Sequence, residues 1–142
     1  MATGERASGT EIRACRVVRS GEAYQGKQGL TYLRGLTGAT VGSNAFCMTV
    51  LVLQPGARAQ MYLHRGIETA AYIMEGRAEM FFGPQLEDHV NVEAGDYLYI
   101  PADVAHLVMN RSGSPATALV AHTAANDQEG IVLLPELDSL IS

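Results

Sequence analysis

Short apolar runs separated by turn residues recur along the chain. The runs are rich in Val, Leu, Ile, Tyr, Phe and Thr, and residues such as Pro55-Gly56 and Gly83-Pro84 break them at short intervals. This rhythm predicts β-strands joined by tight turns, which is typical of sandwiches and barrels. The predicted strands are 12–18, 30–33, 45–54, 60–64, 70–74, 77–82, 89–93, 97–100, 106–110 and 117–122.

Two segments depart from this alternation. Residues 46–53 are almost uninterrupted apolar, which favours a strand covered on both faces and would suit a contact between subunits. A buried helix is the alternative there. Residues 116–129 are rich in Ala and lack Gly and Pro, so propensity permits a helix, but we prefer a strand followed by a loop.

Length and composition restrict the class of protein. A chain of 142 residues with 47% hydrophobic and 18% charged residues is sufficient for one domain with a core. The net charge is −5 and the ten basic residues are scattered, which argues against a nucleic-acid partner. No apolar run reaches the ~18 residues of a membrane span, and residues 1–10 lack a hydrophobic signal, so we expect a cytoplasmic protein.

The candidate chemistry is concentrated around the predicted strand 60–64. Alternate residues of a strand share a face, so Gln60, Tyr62 and His64 project together. Such a polar row either faces solvent or lines a site. Glu68 follows after a short turn that can return its carboxylate beside His64.

Three other histidines lie farther along the chain. His106 follows a predicted hairpin, some forty residues after His64. His89 is surrounded by charged residues, so we expect it to be exposed. We leave His122 out of the candidate site.

One part of the sequence resembles the second motif of the cupin family, G-x5-P-x-G-x2-H-x3-N. Gly95, Pro101, His106 and Asn110 match it in full spacing, and Asp103 stands in place of the third small residue. We interpret Asn110 as a hydrogen-bonding residue at a strand end.

The first cupin motif, G-x5-H-x-H-x(3,4)-E-x6-G, is matched less completely. Its positions are taken by Gly56, Tyr62, His64, Glu68 and Gly76, with Tyr62 replacing the first His. Counting back from Gly76 selects Thr69 for the carboxylate position, whereas the shorter spacing from His64 selects Glu68. We adopt Glu68, with a β-bulge absorbing the extra residue.

The resemblance implies an all-β fold, the double-stranded β-helix or jelly-roll barrel of cupins, with a small-molecule pocket in its mouth. We expect one domain over residues 1–142, with a barrel core at about 45–124 and an N-terminal arm at 1–44. Dimers are common in the family, so a homodimer is expected, with 46–53 at its interface.

The resemblance also implies a divalent metal such as Mn, Fe, Ni or Zn. Carried over by position, the metal ligands are His64, Glu68 and His106, two imidazoles and a carboxylate that leave coordination positions for substrate. Tyr62, His64 and His106 are the candidate catalytic residues, and Gln60 and Tyr62 the candidate substrate contacts.

The resemblance to cupins favours an enzyme that acts on a small polar organic substrate, as an isomerase, dehydratase or cyclase rather than a dioxygenase. Such reactions need a polarised carbonyl and a positioned acid or base, the latter from Tyr62. Two alternatives stay open. One is a metal-free enzyme with His64 or His106 as base and Tyr62 as acid. The other is a barrel that binds a small molecule without catalysis.

Overall fold

The computed structural model describes residues 14–19 and 21–141, in which eleven β-strands form two antiparallel sheets. A short helix α1 (Gly38–Val41) and a C-terminal 3₁₀ helix (Pro135–Leu140) complete the secondary structure of these residues. The strands are β1 (Ala23–Gln25), β2 (Thr31–Leu36), β3 (Cys47–Leu53), β4 (Tyr62–His64), β5 (Thr69–Glu75), β6 (Arg77–Phe82), β7 (Asp88–Glu93), β8 (Tyr97–Ile100), β9 (His106–Met109), β10 (Ala116–His122) and β11 (Ile131–Leu133).

The two sheets face each other as in a jelly roll. The first sheet has the strand order β1-β2-β3-β10-β5-β8, and the second has β11-β4-β9-β6-β7. The predicted all-β fold is therefore confirmed. Strands β1 and β2, which fall within the predicted N-terminal arm, extend the first sheet beside β3. None of the helices in the described residues has the length and apolar character needed to cross a membrane.

Nine of the ten predicted strands overlap observed strands. The strand predicted at 12–18 is wrong over 14–18, where mostly exposed side chains bury no apolar face; residues 12 and 13 lie outside the described residues. Strands β1 and β11 were not predicted, because three residues carry too little alternation to recognise. Residues 116–129 form a strand and then a loop, as expected.

The C-terminal segment covers the outer face of the second sheet. Met61 and Leu107 are fully buried there, in a cluster against which Leu137 of the 3₁₀ helix packs. Asp138 of the same helix accepts a hydrogen bond from the Met61 N–H at 2.8 Å, and Arg58 donates to the Asp138 carbonyl at 2.6 Å. The apolar residues beside β4 are thus sealed by the chain itself.

The outer face of the first sheet is apolar as well. A row of side chains crosses five of its strands through paired positions, from Leu33 to Val50, Leu119, Tyr72 and Tyr97. We call this row the apolar face. Tyr97 is 84% exposed and Tyr72 is 37% exposed, so much of the apolar face remains accessible.

Asn110 acts as a hydrogen-bonding residue, as predicted. It is fully buried, and its amide nitrogen donates to the carbonyls of Leu53 and Ser114 at 3.0 and 2.8 Å. Its amide oxygen accepts from the backbone N–H of Ser112 at 2.9 Å. Asn110 therefore ties the end of β9 to β3 and to the following turn.

Two motif glycines differ in the space around them, which gives a stability prediction. Gly76 and Gly95 both have positive φ, 78° and 98°. A Cβ at Gly76 would collide with the Pro115 carbonyl oxygen and lie 2.8 Å from the Ala116 Cα, whereas Gly95 has nothing within 4 Å. We expect Gly95→Ala to lower the free energy of unfolding by about 1 kcal/mol, from backbone strain alone. Gly76→Ala adds a clash and costs about 3 kcal/mol or more.

Urea unfolding of the two variants measures this difference. Equal losses would show that the backbone around Pro115 yields to the added methyl group, against our expectation.

Candidate functional site

Polar side chains from both sheets converge at one end of the interior. Tyr62 on β4 is paired with His106 on β9, and Thr69 on β5 is paired with His122 on β10. Residues directly opposite on antiparallel strands point to the same face. Each pair therefore projects inward, one from each sheet, and His64 at the end of β4 joins them; all five side chains are buried.

The aromatic rings of this group are close together. The ring centroids of Tyr62 and His106 are 4.3 Å apart, and those of His64 and His122 are 4.6 Å apart. Tyr62 and His64 are separated by 5.6 Å, and His64 and His106 by 6.4 Å. We call these four residues, together with Thr69, the imidazole cluster.

Backbone carbonyls fix the tautomer of two of the imidazoles. Nδ1 of His106 lies 2.9 Å from the Val104 carbonyl oxygen, and Nδ1 of His64 lies 3.3 Å from that of Glu129. A carbonyl oxygen can only accept, so each Nδ1 carries the hydrogen. Nε2 of both rings is then left with a lone pair.

His122 is held by a side chain. Its Nδ1 lies 2.8 Å from the Thr69 hydroxyl oxygen. Its Nε2 is buried, and no hydrogen-bond partner for it occurs among the described residues. Buried polar atoms without partners are rare in folded proteins, so this nitrogen marks a place for a ligand or water.

Burial keeps the imidazoles neutral at pH 7. Loss of hydration, together with a smaller effect of the neighbouring His64, lowers the pKa of both His106 and His122 to about 4. Burial also lowers the pKa of His64 itself. Neutral imidazole is the form that binds a metal ion or accepts a proton.

Tyr62 remains protonated in the same surroundings. Burial raises the pKa of Tyr62 to about 12, although the polar side chains of Gln28 and Tyr32 partly offset this effect. Tyr62 occupies the position of the first motif His, but at neutral pH it is a proton donor rather than a phenolate ligand.

The imidazole cluster borders a cavity between the sheets. The cavity has a volume of about 60 Å³, which is more than one water molecule needs. Apart from the cluster, its walls are mostly aliphatic and include Leu51, Ile73, Met80 and Val92 from both sheets. This shape suits a small molecule that has an apolar body and one polar group.

Asp103 explains one departure from the second motif. It adopts a positive φ of 66°, a conformation that Asp tolerates better than most residues. Its N–H donates to the His64 carbonyl at 2.9 Å, and its carboxylate accepts from the Gly66 N–H at 2.9 Å. The loop before β9 therefore fixes the turn that follows His64.

The structure brings together three of the predicted site residues, Tyr62, His64 and His106, and leaves two outside. Glu68 is exposed, and its carboxylate accepts from the Tyr99 hydroxyl at 2.8 Å on the outside of the barrel. The alternation of β5 explains this placement: Thr69 points inward, so the preceding residue cannot. The assignment of Glu68 to the interior carboxylate position is thus corrected, and Thr69 occupies it.

Gln60 also lies away from the imidazole cluster. It precedes β4, its backbone N–H donates to the Gln28 carbonyl at 2.8 Å, and its side chain is exposed. The strand alternation assumed from Gln60 to His64 therefore begins only at Tyr62.

His122 is the residue that sequence reasoning missed. Its signal was the inward row of Ala118 and Val120 on β10, which His122 continues with a period of two.

The donor chemistry of the imidazole cluster suits a metal ion. Histidines that bind a metal through one ring nitrogen usually donate the other N–H to an oxygen, as His64 and His106 do. The unpartnered Nε2 of His122 adds a third nitrogen. As the rings stand, however, no three His, Cys, Asp or Glu side chains within 14–19 and 21–141 are arranged to hold an ion.

Comparison with solved structures places the fold among oxalate decarboxylases. A variant of the Bacillus subtilis enzyme OxdC is 21% identical, with a TM-score of 0.66, over 80% of this chain and 30% of that one. A B. subtilis oxalate decarboxylase described for its Mn(II) centres is 21% identical, with a TM-score of 0.64, over 76% of this chain and 29% of that one. The formate complex of the Lactobacillus farciminis oxalate decarboxylase is 17% identical, with a TM-score of 0.66, over 80% and 33%.

The present chain spans about a third of the length of these enzymes, and at this level of identity the likeness is one of fold. No curated protein matches the sequence. The family described as the cupin domain matches residues 49–122, just over half of the chain, including both sequence motifs from Gly56 to Asn110. On this evidence the chain belongs to the cupin family.

Proposed function

We propose that this cupin is a metal-dependent enzyme that acts on a small organic molecule with a carbonyl group and an apolar body. The observation that carries the proposal is the pair His64 and His106, two neutral imidazoles with free Nε2 atoms at the polar end of an aliphatic cavity. The fold shared with the Mn(II) enzyme supports a divalent metal in general. The reaction type proposed is isomerisation, dehydration or cyclisation.

His64 and His106 would hold the ion through Nε2, while their Nδ1 atoms stay bonded to Glu129 and Val104. A bound divalent ion supplies Lewis acidity that polarises a carbonyl oxygen. Tyr62, packed against His106, carries the proton that can be donated to the same oxygen. The aliphatic walls exclude water and orient the apolar body of the substrate.

A metal-free version of this chemistry is the second candidate, and the contact between Tyr62 and His106 supports it. His106 would then act as the general base and Tyr62 as the general acid. Their ring centroids are only 4.3 Å apart, so one substrate can contact both.

Metal loading separates these two candidates. Purified protein is stripped with a chelator, reloaded with Zn²⁺ or Mn²⁺, and analysed for bound metal after gel filtration. We expect one ion per chain. We expect His64→Ala and His106→Ala each to weaken metal binding by about 100-fold or more, because losing even a residue that hydrogen-bonds to a metal ligand costs up to about 100-fold. His89→Ala is the control, because His89 is exposed, as expected, and contacts Glu79. Wild-type protein without stoichiometric metal would leave only the metal-free candidate.

Tyr62→Phe tests the acid in both candidates. The probe is hydrogen–deuterium exchange beside the carbonyl of cyclohexanone, a small apolar ketone, followed by NMR in D₂O. We expect wild-type protein to accelerate exchange and Tyr62→Phe to lose about 100-fold of that rate, the usual contribution of a general acid. Tyr72→Phe, on the outer face, should match wild type. Equal rates in Tyr62→Phe and wild type would remove Tyr62 from the mechanism, and no exchange by any variant would favour a binding barrel without catalysis.

We further propose that two copies of the chain pair through the apolar face. The C-terminal segment covers the second sheet, whereas the first sheet keeps its exposed Tyr72 and Tyr97. The apolar face crosses five strands, including β3, where the uninterrupted apolar run predicted a subunit contact. A stable interface buries about 800 Å² on each partner, so the pairing would have to involve most of the strands that the apolar face crosses.

Light scattering after gel filtration measures the assembly. We expect wild type at twice the chain mass of 15.2 kDa and Tyr97→Glu at the single mass, because a charge would be buried in the interface. Val17→Glu is the control, since Val17 is 73% exposed and belongs to neither sheet. A monomeric wild type at working concentration would contradict the proposed pairing.

A further inference from the structure

We propose that His122, held by Thr69, is the third ligand of the metal site and that it replaces the carboxylate expected by the first cupin motif. The site is then built from three imidazoles, and it favours Zn²⁺ or Co²⁺ over Mn²⁺. This inference rests on the proposed metal site at His64 and His106, and it adds to that site a residue outside both motifs.

Position is the first support for His122. Thr69 holds the inward position that motif spacing from Gly76 assigns to a carboxylate, and His122 lies directly opposite it on β10. A threonine hydroxyl is a weak ligand, but here it contacts Nδ1 of His122 at 2.8 Å. That contact leaves Nε2 of His122 as the free nitrogen of the pair.

The state of this Nε2 is the second support. The His122 ring is only 5% exposed, and its Nε2 is buried without a hydrogen-bond partner in the described residues. The Nδ1 contacts of His64 and His106 leave a lone pair on Nε2 of each ring. Three imidazole nitrogens with lone pairs at one end of a cavity form a donor set that can bind one divalent ion.

Bringing the three rings onto one ion requires them to turn. The rings of His64 and His122 are 4.6 Å apart, while those of His64 and His106 are 6.4 Å apart and nearly parallel, at 19°. The χ2 torsion of histidine is broad, and His122 is held by a rotatable side-chain hydroxyl rather than by the backbone. Its ring can therefore turn while His64 and His106 keep their Nδ1 contacts. The adjoining cavity of about 60 Å³ gives the rings space in which to move.

The choice of metal follows from the absence of a carboxylate in this donor set. Glu68 points outward to Tyr99, and the buried Asp127 is engaged by the Tyr24 hydroxyl at 2.6 Å and by Gln128 at 3.0 Å. Imidazole suits Zn²⁺ and the later transition metals, whereas carboxylate oxygens suit Mn²⁺. Three histidines with one free position are also a known catalytic arrangement for Zn²⁺.

The test titrates metal-free protein with Co²⁺, Zn²⁺ and Mn²⁺ and reads the visible absorption of Co²⁺ and the competition between metals. For wild type we expect one Co²⁺ per chain and a visible absorption band of the kind that Co²⁺ shows with few ligands. We also expect an equal concentration of Zn²⁺ to displace Mn²⁺. His122→Phe, which keeps an aromatic ring but removes the nitrogens, should lose about 100-fold in affinity and change the band. Thr69→Val should lose about 10-fold or more, while Thr69→Ser keeps the hydroxyl and retains wild-type affinity.

The outcomes separate this inference from the proposed function. If His64→Ala and His106→Ala lose the metal while His122→Phe keeps wild-type affinity and spectrum, His122 is not a ligand and the metal site stands without it. If wild type binds none of the three metals, both proposals are wrong. Mn²⁺ held as tightly as Zn²⁺ would overturn the three-imidazole set. Urea unfolding of each metal-free variant checks the fold, and if His122→Phe does not fold, the contrast between Thr69→Val and Thr69→Ser decides.

Discussion

Burial of polar side chains between the two sheets is the constraint on which the site depends. Removing an imidazole from water penalises its charged form, and this penalty lowers the pKa of His106 and His122 to about 4. The same environment raises the pKa of Tyr62. One physical cause thus produces proton acceptors and a proton donor within contact distance, without any charged residue in the group.

Strand register decides which residues share that environment. A shift of one residue along a strand moves every side chain to the opposite face. The register of β5 places Thr69 inside, and Glu68, which directly precedes the strand, lies outside, so a single position separates a site with a carboxylate from one without. The pairing of Thr69 with His122 on β10 then determines what stands in the vacated place. The chemistry of the barrel is therefore set by pairing as much as by composition.

Much of the fold was predictable from the sequence because it rests on local signals. Glycine and proline at turns, together with alternating apolar residues, predicted ten strands, and nine of them overlap observed strands. The resemblance of residues 95–110 to the second cupin motif pointed to His106, which is buried. What could not be predicted depends on contacts between distant segments. His122 lies 58 positions after His64, and the two meet only because the two sheets that carry them face each other. Glu68 was misplaced because two motif spacings disagreed and the sequence alone offered no register.

The contact between β4 and the C-terminal 3₁₀ helix has a consequence for how the interior is controlled. Met61, beside Tyr62, faces away from the cavity and is anchored through its N–H to Asp138. The strand that carries Tyr62 and His64 is therefore supported on its outer side by Leu137 and Asp138, which do not line the cavity. A sequence change in the C-terminal helix would therefore reach Tyr62 and His64 through the backbone of β4, from the side of the sheet opposite the cavity.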